Sequence, residues 1–306
     1  MNIKRAAADL LLLLTAFIWG TAFVAQRLGM DSVGPLTFCT SRYFIGGAIV
    51  FVVVILSDMR RGMAFASEES LMEWRGALKG GFACGLAMFL GSSAQQIGLL
   101  YTGVGKAGFI TTLYVVFVPL LGLLLKKHVR PVEWAAVVVS LVGLYLLSVK
   151  AGLTIESGDA ILLVGSVFWS AHIICCSYFT QTADPLKLSC IQFTVSCLMS
   201  FAAMLVFESP TAAALRGAMW PILYVGCLST GVAFTCQMAG QKYANPVSAS
   251  LIMSLESIFA ALAGYAVLGE LLTAREIMGC TLMFAAVLIS QLPQRYIIKK
   301  YREKFL

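Results

Sequence analysis

Long apolar runs, fenced by charged or turn residues, follow one another along nearly the whole of this sequence. An α-helix rises about 1.5 Å per residue, so about 20 residues cross the ~30 Å hydrocarbon core of a bilayer. The most constraining run is NPVSASLIMSLESIFAALAGYAVLGE, residues 245 to 270, because Glu256 near its middle is the one Asp, Glu, His, Lys or Arg between Lys242 and Glu270. An ionised carboxylate at the midplane costs about 2.5–3.5 kcal/mol on insertion scales, so Glu256 is expected to face a cavity or a partner. Two roles are open to it from the run alone: a hydrogen bond that holds the bundle together, or a place on a substrate or ion path.

Composition agrees with a membrane interior. Hydrophobic residues make up 59% of the chain and charged ones 12%, well below the ~25% charge of a soluble domain. The net charge of +7 would suggest nucleic acid in a soluble chain, but here its placement beside apolar runs gives it a topological meaning, and no nucleic-acid partner is expected. All nine cysteines lie inside apolar runs, a pattern of packing residues rather than of a disulfide framework or a zinc site.

The charges divide the chain into ten spans. The first is bounded by Asp9 and Arg27, and the second runs from 32 to 57 with Arg42 inside it; a polar loop carrying Asp58, Arg61 and Glu73 follows. The others are 80–105, 107–125, 134–149, 160–183, 188–207, 217–241, the Glu256 run and 277–294. The first, fifth and tenth are short, and flanking Lys, Arg and Glu are expected to snorkel. Alternate loops hold 16 and 5 Lys and Arg, with Arg42 intramembrane, so the positive-inside rule puts both termini in the cytoplasm. The tail RYIIKKYREKF then reads as a topology anchor. The first run is long and lacks a small-x-small cleavage site, so it is expected to be a retained span and not a secretory signal. There is no Asn-x-Ser/Thr sequon, which agrees with a bacterial inner (plasma) membrane.

The chain also repeats itself. A shift of 150 residues sets Trp19 on Trp169, Pro35 on Pro185 and Phe51 on Phe201. A shift of 142 in the later part sets Gln95 on Gln237, Tyr101 on Tyr243, Leu113 on Leu255 and Phe117 on Phe259. Aligned Trp, Pro, Gln and Tyr are not apolar filler, so the chain reads as two five-helix halves. Five is odd, so the second half enters the membrane upside down relative to the first. Inverted repeats of this kind can exchange conformations and open one central site to each side in turn. The expected fold is therefore all-α and integral to the membrane, with ten transmembrane helices as two inverted five-helix repeats: residues 1–149, 150–294, and a basic cytoplasmic tail, 295–306.

FIWG at Phe17 to Gly20, GFITTLYVVFVPLLG at Gly108 to Gly122, SLES at Ser254 to Ser257, LGE at 268–270 and MGC at 278–280 resemble the drug/metabolite transporter superfamily, EamA type, over nearly the whole chain. The resemblance implies a ten-helix bundle with a central cavity that moves small metabolites, often outward. Ser257 stands where many members carry proline after the mid-membrane glutamate, so proline does not dictate a kink there. Lys126 and Lys127 stand where the second half keeps Gly269 and Glu270.

The candidate substrate-binding or coupling residues are Glu256, Arg42, Trp19, Trp169, Tyr114, Gln95, Gln237 and His172. Arg42 lies about two turns deep and is expected either to snorkel outward or to find a partner, which could be Glu256 or an anionic solute. Its repeat counterpart is Gln192 and that of Glu256 is Tyr114, so the cavity should be chemically lopsided. Trp19 and Trp169 lie far from the interfacial belt and read as cavity or packing aromatics. His172 reads as a neutral core histidine or a proton relay. Gln95 and Gln237 offer amides to a cavity or to a helix contact. GVGKAG at 103–108 matches a dinucleotide fingerprint only literally, since it joins two spans, and no nucleotide, metallohydrolase or serine-hydrolase motif occurs. No cofactor, metal or catalytic residue is expected. The leading function is a secondary transporter, an exporter of a small organic metabolite such as an amino acid or amphipathic compound, with proton coupling allowed. The alternative is a membrane-embedded lipid-headgroup enzyme or assembly factor. Expected partners are the small-molecule substrate and membrane lipids, with a homodimer allowed.

Overall fold

The computed structural model describes residues 3–64, 67–148, 157–268 and 272–292. Among these there is no strand, and ten helical passages build the bundle. They are α1 (Ile3–Met30), α2 (Pro35–Arg60), α3 (Glu68–Tyr101), α4 (Val104–Thr112 and Tyr114–Leu124), α5 (Pro131–Ser148), α6 (Ser157–Phe179), α7 (Pro185–Phe207), α8 (Met219–Gln241), α9 (Pro246–Met253 and Glu256–Leu268) and α10 (Ala274–Ser290). Nine are long and apolar enough to cross a membrane, and α10, with 17 residues, completes the set. The expected repeat boundary at 149/150, Gly269 and Glu270, and the basic tail 295–306 lie outside the described residues.

Local sequence sets the helix ends. Proline opens α2, α5, α7 and α9, where first-turn N–H groups lack a helical acceptor in any case. Asp184 caps α7 by accepting the N–H groups of Leu186 and Lys187 at 3.0 and 3.1 Å, and Asn245 caps α9 through Ser248 N–H at 2.8 Å. Thr273 and Glu276 form a reciprocal capping box on α10. Two expected spans prove longer than their apolar runs: α1 has 28 residues and reaches past both Asp9 and Arg27, and α3 begins at Glu68 instead of Gly80. Charged side chains in end turns extend towards the interface while the backbone stays helical, so a charge fence marks membrane thickness and not a helix end.

Polarity runs opposite to that of a soluble domain. Leu10, Phe44, Phe82, Leu198, Val206 and Phe284 are exposed, whereas Arg42, Gln96, His172, Lys187, Gln192 and Glu256 are buried. Apolar side chains facing lipid carry no penalty, and the polar ones must find partners inside. The small residues Gly81 and Gly85 let α3 close on α7, since a Cβ there would come within 2.5 Å of Ile191 and 2.7 Å of Val195. The glycine-rich GVGKAG segment is a turn into α4, capped at Gly103, and Lys106 pairs with Asp159 at 2.6 Å.

The halves pack as inverted copies. α2 lies against its copy α7 and α5 against α10, while α1 packs on α8 as α6 packs on α3. α4 and α9 are interrupted at matching places, Leu113 and Ser254–Leu255. Leu113 N–H bonds Ile110 C=O, and Leu255 N–H bonds Ile252 C=O, both at 3.2 Å. Helix nine is thus broken without a proline at 257.

One inverted pair of contacts clasps α2 to α7 at both ends. At one end the Glu208 carboxylate accepts Leu36 N–H and Thr37 N–H, each at 2.8 Å, and Thr37 Oγ1–H at 2.6 Å. These donors form the N-terminus of α2, where a carboxylate is favoured by the exposed N–H groups and the helix dipole. At the other end Lys187 Nζ lies 3.0 Å from Asp58 Oδ2 and 2.7 Å from Glu73 Oε2, and Ser70 Oγ donates to Asp58 at 2.9 Å. Thr37 and Lys187, like Asp58 and Glu208, are 150 residues apart, the offset of the repeat.

Candidate functional site

Where the two halves meet, seven of the helices enclose a cavity of about 40 Å³. Its walls come from α1 (Trp19, Phe23, Gln26), α2 (Arg42), α3 (Gln95), α4 (Thr111, Tyr114), α6 (Trp169, Ile173), α8 (Ser229, Phe234, Gln237) and α9 (Glu256). At about 10–15 Å³ per water this holds about three or four waters, so the helices must part to admit an organic solute.

The break in α9 places Glu256 in the first turn of its second segment, where the helix N-terminus favours a carboxylate. Its Oε1 accepts Tyr114 Oη–H at 3.0 Å and Thr112 Oγ1–H at 3.3 Å. Both donors lie beside the matching break in α4, and Tyr114 is the repeat counterpart of Glu256. The pseudo-twofold relation between the halves therefore passes through this hydrogen bond. Gln95 and Gln237 line the cavity as a second related pair, and Trp19 and Trp169 as a third.

Phe234 lies between the two tryptophans, 4.7 Å from the Trp19 ring centre and 5.7 Å from that of Trp169. Trp169 Nε1–H donates to Gln95 Oε1 at 2.9 Å, and Gln95 Nε2–H donates to Gln26 Oε1 at 3.3 Å. Arg42 Nη1–H donates to the same Gln26 oxygen at 3.1 Å, and its Nη2–H to Tyr43 Oη at 3.0 Å. A single polar line thus joins Arg42 in the first half to Trp169 in the second. Ser229 lies in Val225–Phe234, a stretch of α8 wound as a π-helix, and its carbonyl faces Trp19 Nε1 at 3.4 Å. Such widened turns recur at functional sites because they free carbonyls from the helical ladder.

Seven of the eight candidates from the sequence line this one cavity. Arg42 and Glu256 share it, each on neutral partners, with no ion pair between them. His172 stands behind the wall: it pairs with Gln192 Oε1 at 3.0 Å and meets Trp169 and Phe234 edge to face. Gln26, Phe23 and Phe234 were not singled out by the sequence. A helical stripe carries the first two, since Trp19, Phe23 and Gln26 follow i, i+4, i+7 spacing on α1, and Phe234 and Gln237 lie three apart on α8. Among the described residues no cluster of three or more His, Cys, Asp or Glu could hold a metal ion.

Comparison with known proteins fits this geometry. A model of the EamA-like transporter family matches residues 6–149 and again residues 156–291. An uncharacterized transporter of Archaeoglobus fulgidus is 34% identical over 95% of this chain and 88% of its own length. The uncharacterized transporter YwfM of Bacillus subtilis is 26% identical over 92% of each chain. The uncharacterized inner membrane transporter YedA of Escherichia coli is 22% identical over 89% of this chain and 87% of its own. A crystal structure of a protein 17% identical superposes with a TM-score of 0.74 over 96% of this chain and 99% of that one, a likeness of fold.

Proposed function

We propose, from the premise that the chain belongs to the EamA-like transporter family and is a membrane transporter, that it exports a small organic metabolite by alternating access, coupled to protons through Glu256. The observation that carries this reading is the placing of Glu256 and its repeat counterpart Tyr114 in one cavity between inverted halves. Two similar halves of opposite topology around a single site can exchange conformations and so give alternating access, and intramembrane carboxylates serve as proton relays in such sites. An amphipathic solute such as an amino acid suits walls that combine Trp19, Phe234 and Trp169 with charged and amide groups. The narrowness of the cavity fits a state between the inward- and outward-open forms.

The reading is tested in liposomes that contain only this protein. Solute flux is expected to vary with pH in the parent chain, and Glu256→Gln is expected to flatten that profile while leaving insertion intact. A profile of unchanged shape in the variant removes Glu256 from proton coupling; chemical change of the solute in place of its movement would point to an enzyme.

The excess of Lys and Arg in alternate loops supports a cytoplasmic face for both termini, in the inner membrane of a bacterium. Arg5 Nη2–H bonds Gln291 Oε1 at 3.0 Å, which sets the beginning of α1 and the end of α10 on one face. Single cysteines placed at Arg60 and Lys127 in a chain freed of its native cysteines are expected to react with an impermeant maleimide only from the cytoplasmic side. Labelling of both from outside would invert the orientation.

A further inference from the structure

Arg42 is the buried group whose chemistry the helices leave incomplete. It is 3% exposed, and its guanidinium touches two neutral oxygens, those of Gln26 and Tyr43, and the face of the Tyr43 ring at 4.7 Å. A guanidinium carries five N–H donors in a fixed fork, and Nε–H, on the fork's edge, has no partner in the protein. Among the described residues no carboxylate lies within ion-pair distance of it, Glu256 being held by Tyr114 and Thr112. A buried cation with only neutral ligands is unfavourable in a membrane interior, and full compensation takes a negative charge with acceptor oxygens. The same cavity holds three further polar atoms without protein partners: both amide atoms of Gln237 and Thr111 Oγ1. Buried polar groups are rarely left so, and here they converge on one space.

We infer that Arg42 is the anchor of an anion subsite, and that the transported solute carries a carboxylate that docks on the Arg42 fork beside Gln237, with its apolar body against Trp19, Phe234 and Trp169. The inference rests on the transport reading above and names the solute class for that site. A planar carboxylate matches the guanidinium edge and leaves an oxygen for an amide N–H of Gln237. The repeat relation keeps this chemistry on one side of the cavity, since Gln192, the counterpart of Arg42, is occupied by His172. A phospholipid headgroup offers an anion too, and the phosphatidylglycerol arm of the test separates that source from a soluble carboxylate.

The test measures binding by the purified full chain in detergent, apart from flux, using phenylacetate and its neutral isostere phenylacetamide as probes and isothermal titration as the readout. Phenylacetate is expected to bind about tenfold or more tightly than phenylacetamide, the difference that leaving a charged partner unpaired makes. Arg42→Gln, which installs the residue found at the repeat-related position, is expected to lose that preference, and Arg42→Lys to keep part of it. Equal affinity of the parent chain for the two probes, binding of neither, or a preference that survives Arg42→Gln would each overturn the subsite. A variant that elutes as aggregate is replaced in the comparison by the other. Addition of phosphatidylglycerol is expected not to displace phenylacetate; displacement would assign the site to lipid and overturn a solute carboxylate. Carboxylate-selective binding without flux in liposomes would sink the transport reading and leave the subsite standing, whereas flux with no carboxylate preference would do the reverse.

Discussion

Lys187→Met is expected to destabilise the protein by about 3–5 kcal/mol, the usual consequence of removing one partner from a buried ion pair. Lys187 is 1% exposed, and its ammonium is the closest cation to Asp58, itself 2% exposed. Methionine preserves the apolar stem but leaves Asp58 at the C-terminal turn of α2, where the helix carbonyls already disfavour a negative charge. Glu73 is less affected because Arg61 still pairs with it, whereas Asp58 keeps only the longer contact to Arg61 at 3.7 Å and the Ser70 hydroxyl. The loss should appear as a lower midpoint when detergent-solubilised protein is heated and its monodisperse fraction followed. Adding Asp58→Leu to Lys187→Met is expected to recover most of the loss, since two apolar side chains can replace a buried pair at little cost. A double variant no more stable than Lys187→Met alone would mean that packing, and not charge, holds this end of the clasp. The opposite end should be less sensitive, because Glu208 is only partly buried and water can take up the N–H groups it releases.

That clasp also marks what the sequence could not reveal. Lys187 counts in the sequence as one more cytoplasmic charge, and Asp58 and Glu73 as members of a polar loop; nothing local says that three ionisable groups from two halves will be buried together. Their meeting follows from the antiparallel contact of α2 with α7, a relation of tertiary structure. The repeat offset does carry the information in latent form, since the shift of 150 that aligns Trp19 with Trp169 also aligns Asp58 with Glu208. The ten spans were legible because a bilayer permits few solutions to a long apolar run, and Trp19, Trp169, Gln95 and Gln237 because the repeat sets these mid-span residues in pairs. The relation of Arg42 to Glu256 was not legible, because helix rotation is set by packing that a hydropathy pattern does not encode. The π-helical stretch of α8 has no signature of its own either. Thr230 there packs its methyl against Gly46 of α2, and the interlocking is visible only once the helices are side by side.

Gly20→Val is expected to reduce flux at least about tenfold and to destabilise the protein by about 1–3 kcal/mol, the range found for overpacked cores. Gly20, the last residue of FIWG, is where α1 lies against α9 just past its break. A Cβ at this position would lie 2.5 Å from the Glu256 carbonyl oxygen, 2.7 Å from Phe259 Cβ and 2.8 Å from Ala260 N. Two of these three are main-chain atoms in α9, which cannot swing aside as the end of a flexible side chain can. The helices must separate instead, and the displacement falls on the turn that presents Glu256 to Tyr114 and Thr112. Gly20→Ala should show the same effect in smaller degree, so flux and thermal midpoint are expected to fall together from Gly to Ala to Val. Gly108→Ala serves as the control, since a Cβ there meets nothing within 4 Å, and it should leave both unchanged. Parent-level flux in Gly20→Val at an unaltered midpoint would mean that α1 and α9 do not hold this close approach during transport.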